Sequence, residues 1–372
     1  MTDVVRPALP RELVVRVKAW AEEDPDPSTR AELERLLEQG DEDGLRERFD
    51  HPLTFGTAGL RGRLGAGPGL INRAVVRKTT AGLVRYLAEQ DSFASNGRPP
   101  ARPAPIGVVV GHDARHCSAE LAEDAARVVS AGGLRAWRFR SALPTPITAF
   151  AVRHLEAAAG VMVTASHNPA PDNGYKVYVG DGAQVVPPAD TAIAAAAQAS
   201  AVPADAALSG PFGGRLVDID EASLLAAYCR AVIAVLSPDG PRRLRTLYTP
   251  VHGVGAAVLP GLFEEAGFEP PALVAAQAEP DPDFPTTPFP NPEEPGVLDL
   301  ALAEAERGNA DLVLANDPDA DRLAVAVPVS SDRAALGVGS GPPSAAGTGA
   351  SPGEGPGYRV LTGDELGVLI AD

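Results

Sequence analysis

The chain has 372 residues, more than one hydrophobic core ordinarily organises, so two or more domains are expected. Hydrophobic residues make up 45% and charged residues 22%, as in globular proteins, which excludes a wholly disordered chain. The formal net charge of −17 argues against nucleic acid or an anionic membrane as a partner, because both require a positive field.

The N-terminal sequence Met-Thr-Asp-Val-Val-Arg lacks the basic-then-apolar order of a signal peptide. No apolar run in the sequence approaches the roughly 20 residues that span a bilayer. The two cysteines, Cys117 and Cys229, are too few for a disulfide framework and lack the spacing of a metal site. These features predict a cytoplasmic protein with free thiols.

Residues 1–50 are predicted to form an N-terminal helical section. Its charged and apolar residues follow helical spacing, with a break at 24–28 after which Ser28 or Thr29 would cap the next helix. Three further segments precede the first β signal, namely a glycine-rich stretch, a helix and an exposed loop: 55–69, 73–89 and 91–105.

Residues 51–216 are predicted to form a first α/β domain. Short apolar strands alternate with helices, which favours a mostly parallel sheet flanked by helices. The predicted segments are, in order, strand 106–110, helix 118–131, strand 134–139, a helix that ends at 154, and strand 160–163. Ligands of such sheets bind outside the carboxyl ends of the strands, so the loops 111–118 and 164–176 are candidate binding loops.

The same alternation predicts a second α/β domain over residues 217–357. Its predicted segments are helix 223–236, strand 246–248, a helix from 255, strand 273–275, helix 298–307 and strand 311–315. Residues 330–357 are rich in Ser, Gly, Pro and Ala, which predicts a disordered insertion, and 358–372 resemble the start of a third unit. The predicted fold class is α/β, with tandem α/β domains whose mostly parallel sheets are flanked by helices.

An acidic loop follows the last predicted strand of the second domain. Asp317, Asp319 and Asp321 occupy alternate positions, so their carboxylates can converge on one divalent cation, which favours oxygen ligands. Three close carboxylates repel one another, and a cation relieves that repulsion. An EF-hand is excluded, because it needs glycine at Arg322 and glutamate at Pro328. A solvated acidic turn is the alternative.

Ser166 lies where a predicted strand runs into a polar turn, in the segment Thr-Ala-Ser-His-Asn-Pro. A serine at a strand end, beside backbone N–H groups, is well placed to carry a phosphate. A nucleophile elbow is excluded because Thr164 and Asn168 stand where it needs glycine, and the adjacent His167 is expected to point away from the serine. By local sequence alone, the segment could equally be an Asx-type turn.

Thr57 and Arg61 lie in the glycine-rich stretch, where glycine, which has no side chain, lets the backbone approach a ligand. This stretch lacks the P-loop order, and Gly253-x-Gly255 lacks the third glycine of a dinucleotide fingerprint, so a simple turn is the alternative. An anionic ligand needs local positive charge in so acidic a protein. The basic residues concentrated here could supply it: Arg61, Arg63, Arg73, Arg77 and Lys78.

Lys176 follows Ser166 by ten residues in a chain that is poor in lysine. A lysine near a metal ion and an arginine can have its pKa lowered and then act as an acid or base. A solvated surface lysine is the alternative.

The order of four motifs resembles the α-D-phosphohexomutase family. The motifs are Gly-Thr-Ala-Gly-Leu-Arg-Gly (56–62), Thr-Ala-Ser-His-Asn-Pro (164–169), Asn-Gly-Tyr-Lys (173–176) and Asp-Pro-Asp-Ala-Asp-Arg (317–322). Two further segments, Pro-Asp-Phe-Pro-Thr (282–286) and Asn-Pro-Glu-Glu-Pro (291–295), look most like its phosphoglucomutase-2/phosphopentomutase branch. The resemblance covers most of the chain from about Leu53.

The resemblance implies a Mg²⁺-dependent phosphosugar mutase. Such an enzyme interconverts sugar 1- and 6-phosphates, or pentose 1- and 5-phosphates, through a phosphoserine and a sugar bisphosphate, which also acts as activator. In the family, the serine that matches Ser166 carries the phosphoryl group, and aspartates that match Asp317, Asp319 and Asp321 hold Mg²⁺ together with it.

By the same resemblance, Arg61 would steady the phosphoserine, Lys176 would be the general acid/base and His167 would be a further catalytic residue. Thr57, Asn168 and Arg322 would bind substrate. Asp113 and Arg115 match a family Asp-x-Arg that is expected to support the loops. Phosphoryl transfer needs positioning and charge neutralisation more than covalent assistance, which agrees with these roles.

The sequence departs from the family at its end. Members have four domains, with a sugar-selecting loop in the third and a phosphate-binding loop in the fourth, and neither loop occurs here. The sequence therefore predicts a chain truncated after the start of its third domain, with the sugar left open. The expected partner is a small sugar phosphate. An inactive remnant that binds a metal or another protein, and a phosphatase-like activity, are the alternative functions.

Overall fold

The computed structural model describes residues 9–94, 107–210, 215–237, 240, 242–329, 354–355 and 357–371. Contacts divide the chain into two units, Met1–Ala165 with Ala170–Tyr228 and Ser166–Pro169 with Cys229–Asp372. The insertion predicted at 330–357 lies outside the described residues except for 354, 355 and 357. The N-terminal residues 1–8 and most of the predicted loop at 91–105 also lie outside them.

Three helices open the first unit: α1 (Arg11–Glu23), α2 (Pro27–Gln39) and α3 (Glu42–Phe49). They enclose a small apolar cluster that includes Leu13 and Leu33. The Asp26 carboxylate caps α2 by accepting a hydrogen bond from the backbone N–H of Ser28. The predicted caps, Ser28 or Thr29, are wrong because proline at 27 starts the helix one residue after Asp26.

The rest of the first unit alternates strands and helices. In chain order these are β1 (Leu60–Arg63), α4 (Arg73–Ala94), β2 (Gly107–His112), α5 (Ser118–Ala131), β3 (Arg135–Arg138), α6 (Thr145–His154), β4 (Ala159–Val163), β5 (Asp172–Val179), α7 (Ala189–Gln198), α8 (Asp205–Leu208), β6 (Leu216–Asp218) and α9 (Glu221–Ile233), whose last residues belong to the second unit.

Within the described residues, the first sheet has the order β1-β5-β4-β2-β3-β6. The strands β4, β2, β3 and β6 pair in parallel, whereas β5 pairs antiparallel with both of its neighbours, β4 and β1. β2 is buried along its whole length, which explains its nearly continuous apolar sequence, and α5 and α6 pack on it. β1 and β5 were not predicted, because their glycines and polar residues hide any alternation.

The second unit contains β7 (Thr246–Thr249), α10 (Leu259–Glu265), β8 (Ala272–Leu273), α11 (Asp299–Gly308), β9 (Leu312–Asn316), β10 (Leu323–Pro328), β11 (Glu354–Gly355), β12 (Tyr358–Val360) and α12 (Gly363–Ala371). Short 3₁₀ turns lie at Gly255–Ala257 and Ala275–Gln277. Among the described residues, the second sheet runs β11-β12-β10-β9-β7-β8, with β9, β7 and β8 parallel and the rest antiparallel.

Residues 358–372 are predicted to start a third unit, but β12 is a strand of the second sheet, paired with β10. Tyr358 explains the difference, because it is buried in the core of the second unit and its hydroxyl lies 2.5 Å from the carbonyl oxygen of Ala310. The prediction of tandem α/β units with helix-flanked sheets is confirmed. Within the ranges given above, no helix combines the length and apolarity needed to cross a bilayer.

Candidate functional site

The loop between β9 and β10 brings three carboxylates together in the second unit. One oxygen from each of Asp317, Asp319 and Asp321 lies within 4.8 Å of the others. Asp317 and Asp319 are fully buried, whereas Asp321 is exposed. Oxygen atoms at this spacing suit a hard divalent cation such as Mg²⁺.

The electrostatics of this acidic loop also fit a cation. Burial raises the pKa of Asp317 to about 8, and the nearby charges of Asp319 and Asp321 act in the same direction. The pKa is raised because it costs free energy to hold several anionic groups close together and away from water. A divalent cation would offset both the loss of hydration and the mutual repulsion, so the residues present fit such an ion.

Backbone and buried polar groups fix the shape of the acidic loop. One carboxylate oxygen of Asp317 accepts a hydrogen bond from the backbone N–H of Arg322, at 3.0 Å. The preceding residue, Asn316, accepts a hydrogen bond from the buried hydroxyl of Tyr248, at 2.9 Å. These contacts hold the loop at both ends.

The Gly253-x-Gly255 segment packs directly against the acidic loop. A Cβ atom on Gly253 would lie 2.3 Å from Cα of Pro318, and one on Gly255 would lie 2.0 Å from the Tyr248 hydroxyl. The backbone N–H of Val254 donates to the carbonyl of Pro318 at 2.9 Å. Glycine is needed at both positions because the surrounding atoms approach the backbone too closely for a side chain. The Gly-x-Gly spacing alone does not predict this role.

Ser166 contacts the same loop. Its hydroxyl donates a hydrogen bond to the Asp317 carboxylate at 2.6 Å, although 151 residues separate the two in sequence. The side chain is buried, and the backbone φ of +55° lies in the left-handed region. Non-glycine residues seldom occupy that region, and such strain is common at functional sites.

His167 also faces Ser166. Its Nδ1 atom lies 3.1 Å from the serine oxygen, and its ring packs edge-on against Phe289, with centroids 5.9 Å apart. The expectation that adjacent side chains point apart is wrong here, because the left-handed backbone at Ser166 turns the chain. Phe289 had no sequence signal, since its contact depends on the tertiary fold.

Two of the predicted substrate-binding residues lie in the second unit near these groups. Asn168 is half-buried in the segment Ser166–Pro169, which contacts assign to the second unit. Arg322 ends the acidic loop and extends its guanidinium to within 3.8 Å of the Glu293 carboxylate. The second unit thus brings together Ser166, His167, Asn168, Asp317, Asp319, Asp321 and Arg322.

The remaining predicted site residues lie in the first unit. Thr57 is exposed in the turn between Gly56 and Gly59, and its carbonyl accepts a hydrogen bond from Gln184 at 2.7 Å. Gly59 is required there, because it has a φ of +75° and a Cβ atom would lie 2.0 Å from a backbone oxygen. Arg61 is half-buried on β1.

Lys176 is buried on β5, with 1% of its surface exposed, in register with Met162 of β4. The alternative of a solvated surface lysine is therefore wrong. A buried ammonium group is unusual in proteins and marks the residue as a functional candidate.

Asp113 and Arg115 hold the loop after β2. The Asp113 carboxylate accepts hydrogen bonds from the Ser118 hydroxyl at 2.6 Å and from the Arg115 backbone N–H at 3.1 Å, and burial raises its pKa. Asn173 on β5 donates to the carbonyl of His116 and to Ser118. These contacts tie the loop to β5, which fits a supporting role.

The predicted concentration of positive charge is mostly neutralised. Arg63 pairs with Glu47 at 3.0 Å, and Arg73 and Arg77 both bind the buried carboxylate of Asp124, at 2.6 and 2.8 Å. Each of these three arginines already has a carboxylate partner, so their service to an anionic ligand stays a prediction. Sequence could not show this, because Asp124 lies about 50 residues further along the chain.

The chain folds into two α/β units. A buried serine lies at a strand end, and its hydroxyl donates a hydrogen bond to an acidic loop of the type that binds cations. This combination defines a class of protein suited to phosphate chemistry. Residues 52–202 match the domain family described as "Phosphoglucomutase/phosphomannomutase, alpha/beta/alpha domain I". Residues 226–330 match the corresponding domain II family. The chain therefore belongs to the phosphoglucomutase/phosphomannomutase family, the α-D-phosphohexomutases, in its phosphoglucomutase-2/phosphopentomutase-like branch.

Similar proteins agree with this assignment. The chain is 36% identical to Homo sapiens phosphopentomutase in an alignment 369 positions long that covers 94% of this chain and 54% of that protein. It is 38% identical to Homo sapiens glucose 1,6-bisphosphate synthase in an alignment 331 positions long that covers 85% of this chain and 51% of that one. A Thermus thermophilus structure assigned as a phosphomannomutase matches with a TM-score of 0.61 and 29% identity, over 74% of this chain and 57% of that one. The chain thus spans about half the length of the curated relatives it matches.

Proposed function

We propose that the chain acts in a phosphosugar mutase whose phosphoryl carrier is Ser166. The observation that carries the proposal is the 2.6 Å hydrogen bond from the Ser166 hydroxyl to Asp317 in the acidic loop. Relatives named phosphopentomutase and glucose 1,6-bisphosphate synthase support the reaction class. Because the chain covers about half of those relatives, the activity of the whole enzyme is part of the proposal.

The acidic loop is the proposed Mg²⁺ site, with Asp317, Asp319 and Asp321 as ligands beside Ser166. When bound, Mg²⁺ supplies positive charge that neutralises the oxygens of the transferred phosphoryl group. The spacing of the three carboxylates and the raised pKa of Asp317 support this assignment.

In the proposed reaction, the Ser166 oxygen forms a bond to the phosphorus of a sugar bisphosphate, and the bond from that phosphorus to the sugar oxygen breaks. The serine proton is lost and the sugar oxygen gains one, so a sugar monophosphate leaves. In the reverse direction the phosphoserine phosphorylates the other hydroxyl of a monophosphate. One serine therefore serves both half-reactions.

The chain's own groups have distinct proposed roles in this exchange. His167, whose Nδ1 lies 3.1 Å from the serine oxygen, orients the hydroxyl and can hold its proton. Lys176 is the proposed general acid/base for the sugar hydroxyl, and Arg61 the proposed cation for the phosphoserine. The proposed contacts to the substrate are Thr57, Asn168 and Arg322.

The proposed substrates are pentose or hexose phosphates, with a sugar bisphosphate as activator. The relatives' names include both a pentose-phosphate mutase and an enzyme named for a hexose bisphosphate, so the sugar remains open between these two classes.

A phosphoryl-transfer assay tests the proposal. The chain is incubated with Mg²⁺ and glucose 1,6-bisphosphate or ribose 1,5-bisphosphate, and intact mass is recorded for the wild type, Ser166→Ala and the exposed control Ser209→Ala. We expect one phosphoryl group on the wild type and on Ser209→Ala, and none on Ser166→Ala. Equal labelling of all three proteins would contradict the proposal.

The same samples distinguish the alternative functions. Interconversion of the two sugar monophosphates identifies a mutase. A stable label without interconversion would favour an inactive remnant. Steady release of inorganic phosphate from the labelled chain would favour a phosphatase-like activity, because water would then be reaching the phosphoserine.

A further inference from the structure

A cavity lies within the first unit, lined by residues of α1, α4, α7 and the segment 52–55, together with Leu60 and Pro68. Its volume is about 320 Å³, at the lower end of the range typical of small-molecule pockets. The wall is mainly apolar, and its aliphatic and aromatic members include Leu53, Phe55, Leu60, Val75, Ala194 and Ala197. None of the residues proposed above for phosphoryl transfer is among the described residues that line it.

One cation lies in this apolar wall. Lys78 is half-buried on α4, and within the described part of the chain its ammonium group has no hydrogen-bond or ion-pair partner. The neighbouring cations of the same helix behave differently, because Arg73 and Arg77 both bind Asp124. An ammonium group without a counter-charge beside an apolar cavity is a natural partner for an anion that enters it.

Three further polar side chains line the cavity, and the exposed Thr54 is the first of them. Thr79, buried on α4, and Gln198, exposed at the end of α7, both border the cavity. An apolar wall with a few polar groups and one charge is the usual composition of a site that orients a small organic ligand.

We propose that this cavity binds a small apolar carboxylate, with its hydrocarbon portion against the apolar wall and its carboxylate on Lys78. One unpaired cation matches one negative charge. A phosphate ester, with nearly two charges, would need a second cation, and the arginines of the same helix are already paired. The cavity volume corresponds to roughly ten water molecules in the liquid, enough for a medium-length chain or a single ring.

Trp20 provides a direct reporter of binding. Its ring borders the cavity, and its buried indole N–H has no acceptor among the described residues. The chain has one other tryptophan, Trp137, which does not line the cavity. In a spectrum of the ¹⁵N-labelled full chain, the two indole resonances can be assigned with Trp20→Phe.

The test is a titration with octanoate, 1-octanol and acetate. We expect octanoate to shift the Trp20 indole resonance saturably and to leave that of Trp137 in place. Octanol lacks the charge and acetate lacks the tail, so each should bind at least about tenfold more weakly. This comparison uses the unaltered protein and does not depend on any variant folding.

Variants test the assigned residue. Lys78→Met keeps most of the side-chain volume and should weaken octanoate binding by about tenfold or more, whereas the exposed control Lys18→Met should not. Ala194→Leu, which fills the cavity, should also weaken it. The proposal is overturned if octanoate gives no saturable shift, if octanol binds as tightly, or if folded Lys78→Met binds octanoate like the wild type.

Discussion

Replacing Gly253 by alanine should displace the acidic loop without touching a carboxylate. The added Cβ atom would lie 2.3 Å from Cα of Pro318, 2.4 Å from its carbonyl oxygen and 2.6 Å from its carbonyl carbon. Carbon atoms in contact rest about 3.5 Å apart, so the Pro318 backbone must retreat by about 1 Å. All three atoms are backbone, so no side-chain rotation can relieve the clash.

The expected consequence is a larger effect on chemistry than on folding. Overpacking of this kind costs about 1–3 kcal/mol of stability, whereas a displacement of about 1 Å at a reacting centre can slow catalysis about 100-fold. Gly261→Ala is the matched control, because it lies on α10 and nothing lies within 4 Å of an added Cβ atom.

The assay compares phosphorylation rates from glucose 1,6-bisphosphate and urea unfolding for the wild type, Gly253→Ala and Gly261→Ala. We expect Gly253→Ala to remain folded but to be phosphorylated far more slowly, while Gly261→Ala behaves like the wild type. A wild-type rate in Gly253→Ala would refute the argument that the position of Pro318 sets the geometry of the acidic loop.

Three further changes test other parts of the account. Asp124→Asn should lower the free energy of unfolding by about 3 kcal/mol, because the buried Arg77 loses its buried counter-charge. Glu89→Gln, which removes one member of an exposed ion pair, should change the free energy of unfolding by less than about 0.5 kcal/mol. Urea unfolding measures both effects. Arg245 holds the pKa of Asp311 down to about 2, below its ordinary value of about 4, so this carboxylate stabilises the fold above pH 4 or so and that contribution disappears as the pH falls to about 2. Melting temperatures over that window should fall less steeply for Asp311→Asn than for the wild type, and parallel curves would count against the ion pair. Asp319→Asn should weaken Mg²⁺ binding more than about tenfold by calorimetry, and unchanged binding would remove the acidic loop as the cation site.

The sequence predicted the elements whose signal is local. α5 was predicted at 118–131 and is observed at Ser118–Ala131, because its apolar period and the glycines after it are contained in one segment. The acidic loop was likewise visible from the alternation of Asp317, Asp319 and Asp321 after an apolar strand. β1 and β5 were missed, since a glycine-rich or polar strand is defined by the neighbour it pairs with.

The site shows the same limit. Sequence placed Ser166 at a strand end, but its contact with Asp317 joins residues that are far apart in the chain. The approach of His167 to the serine depends on the left-handed φ of Ser166, which the neighbouring sequence does not predict. Arg73 and Arg77 looked available for an anion because their partner, Asp124, is remote in sequence. The roles of Lys176 and Arg61 and cytoplasmic residence stay predictions.

The most direct test of the central claim is to locate the phosphoryl group. The chain is incubated with Mg²⁺ and glucose 1,6-bisphosphate, digested, and its phosphopeptides are sequenced by tandem mass spectrometry. The account predicts a single phosphorylated residue, Ser166, whose label requires the divalent cation. Phosphorylation at another residue while Ser166 stays unmodified, or no phosphorylation at all, would contradict it.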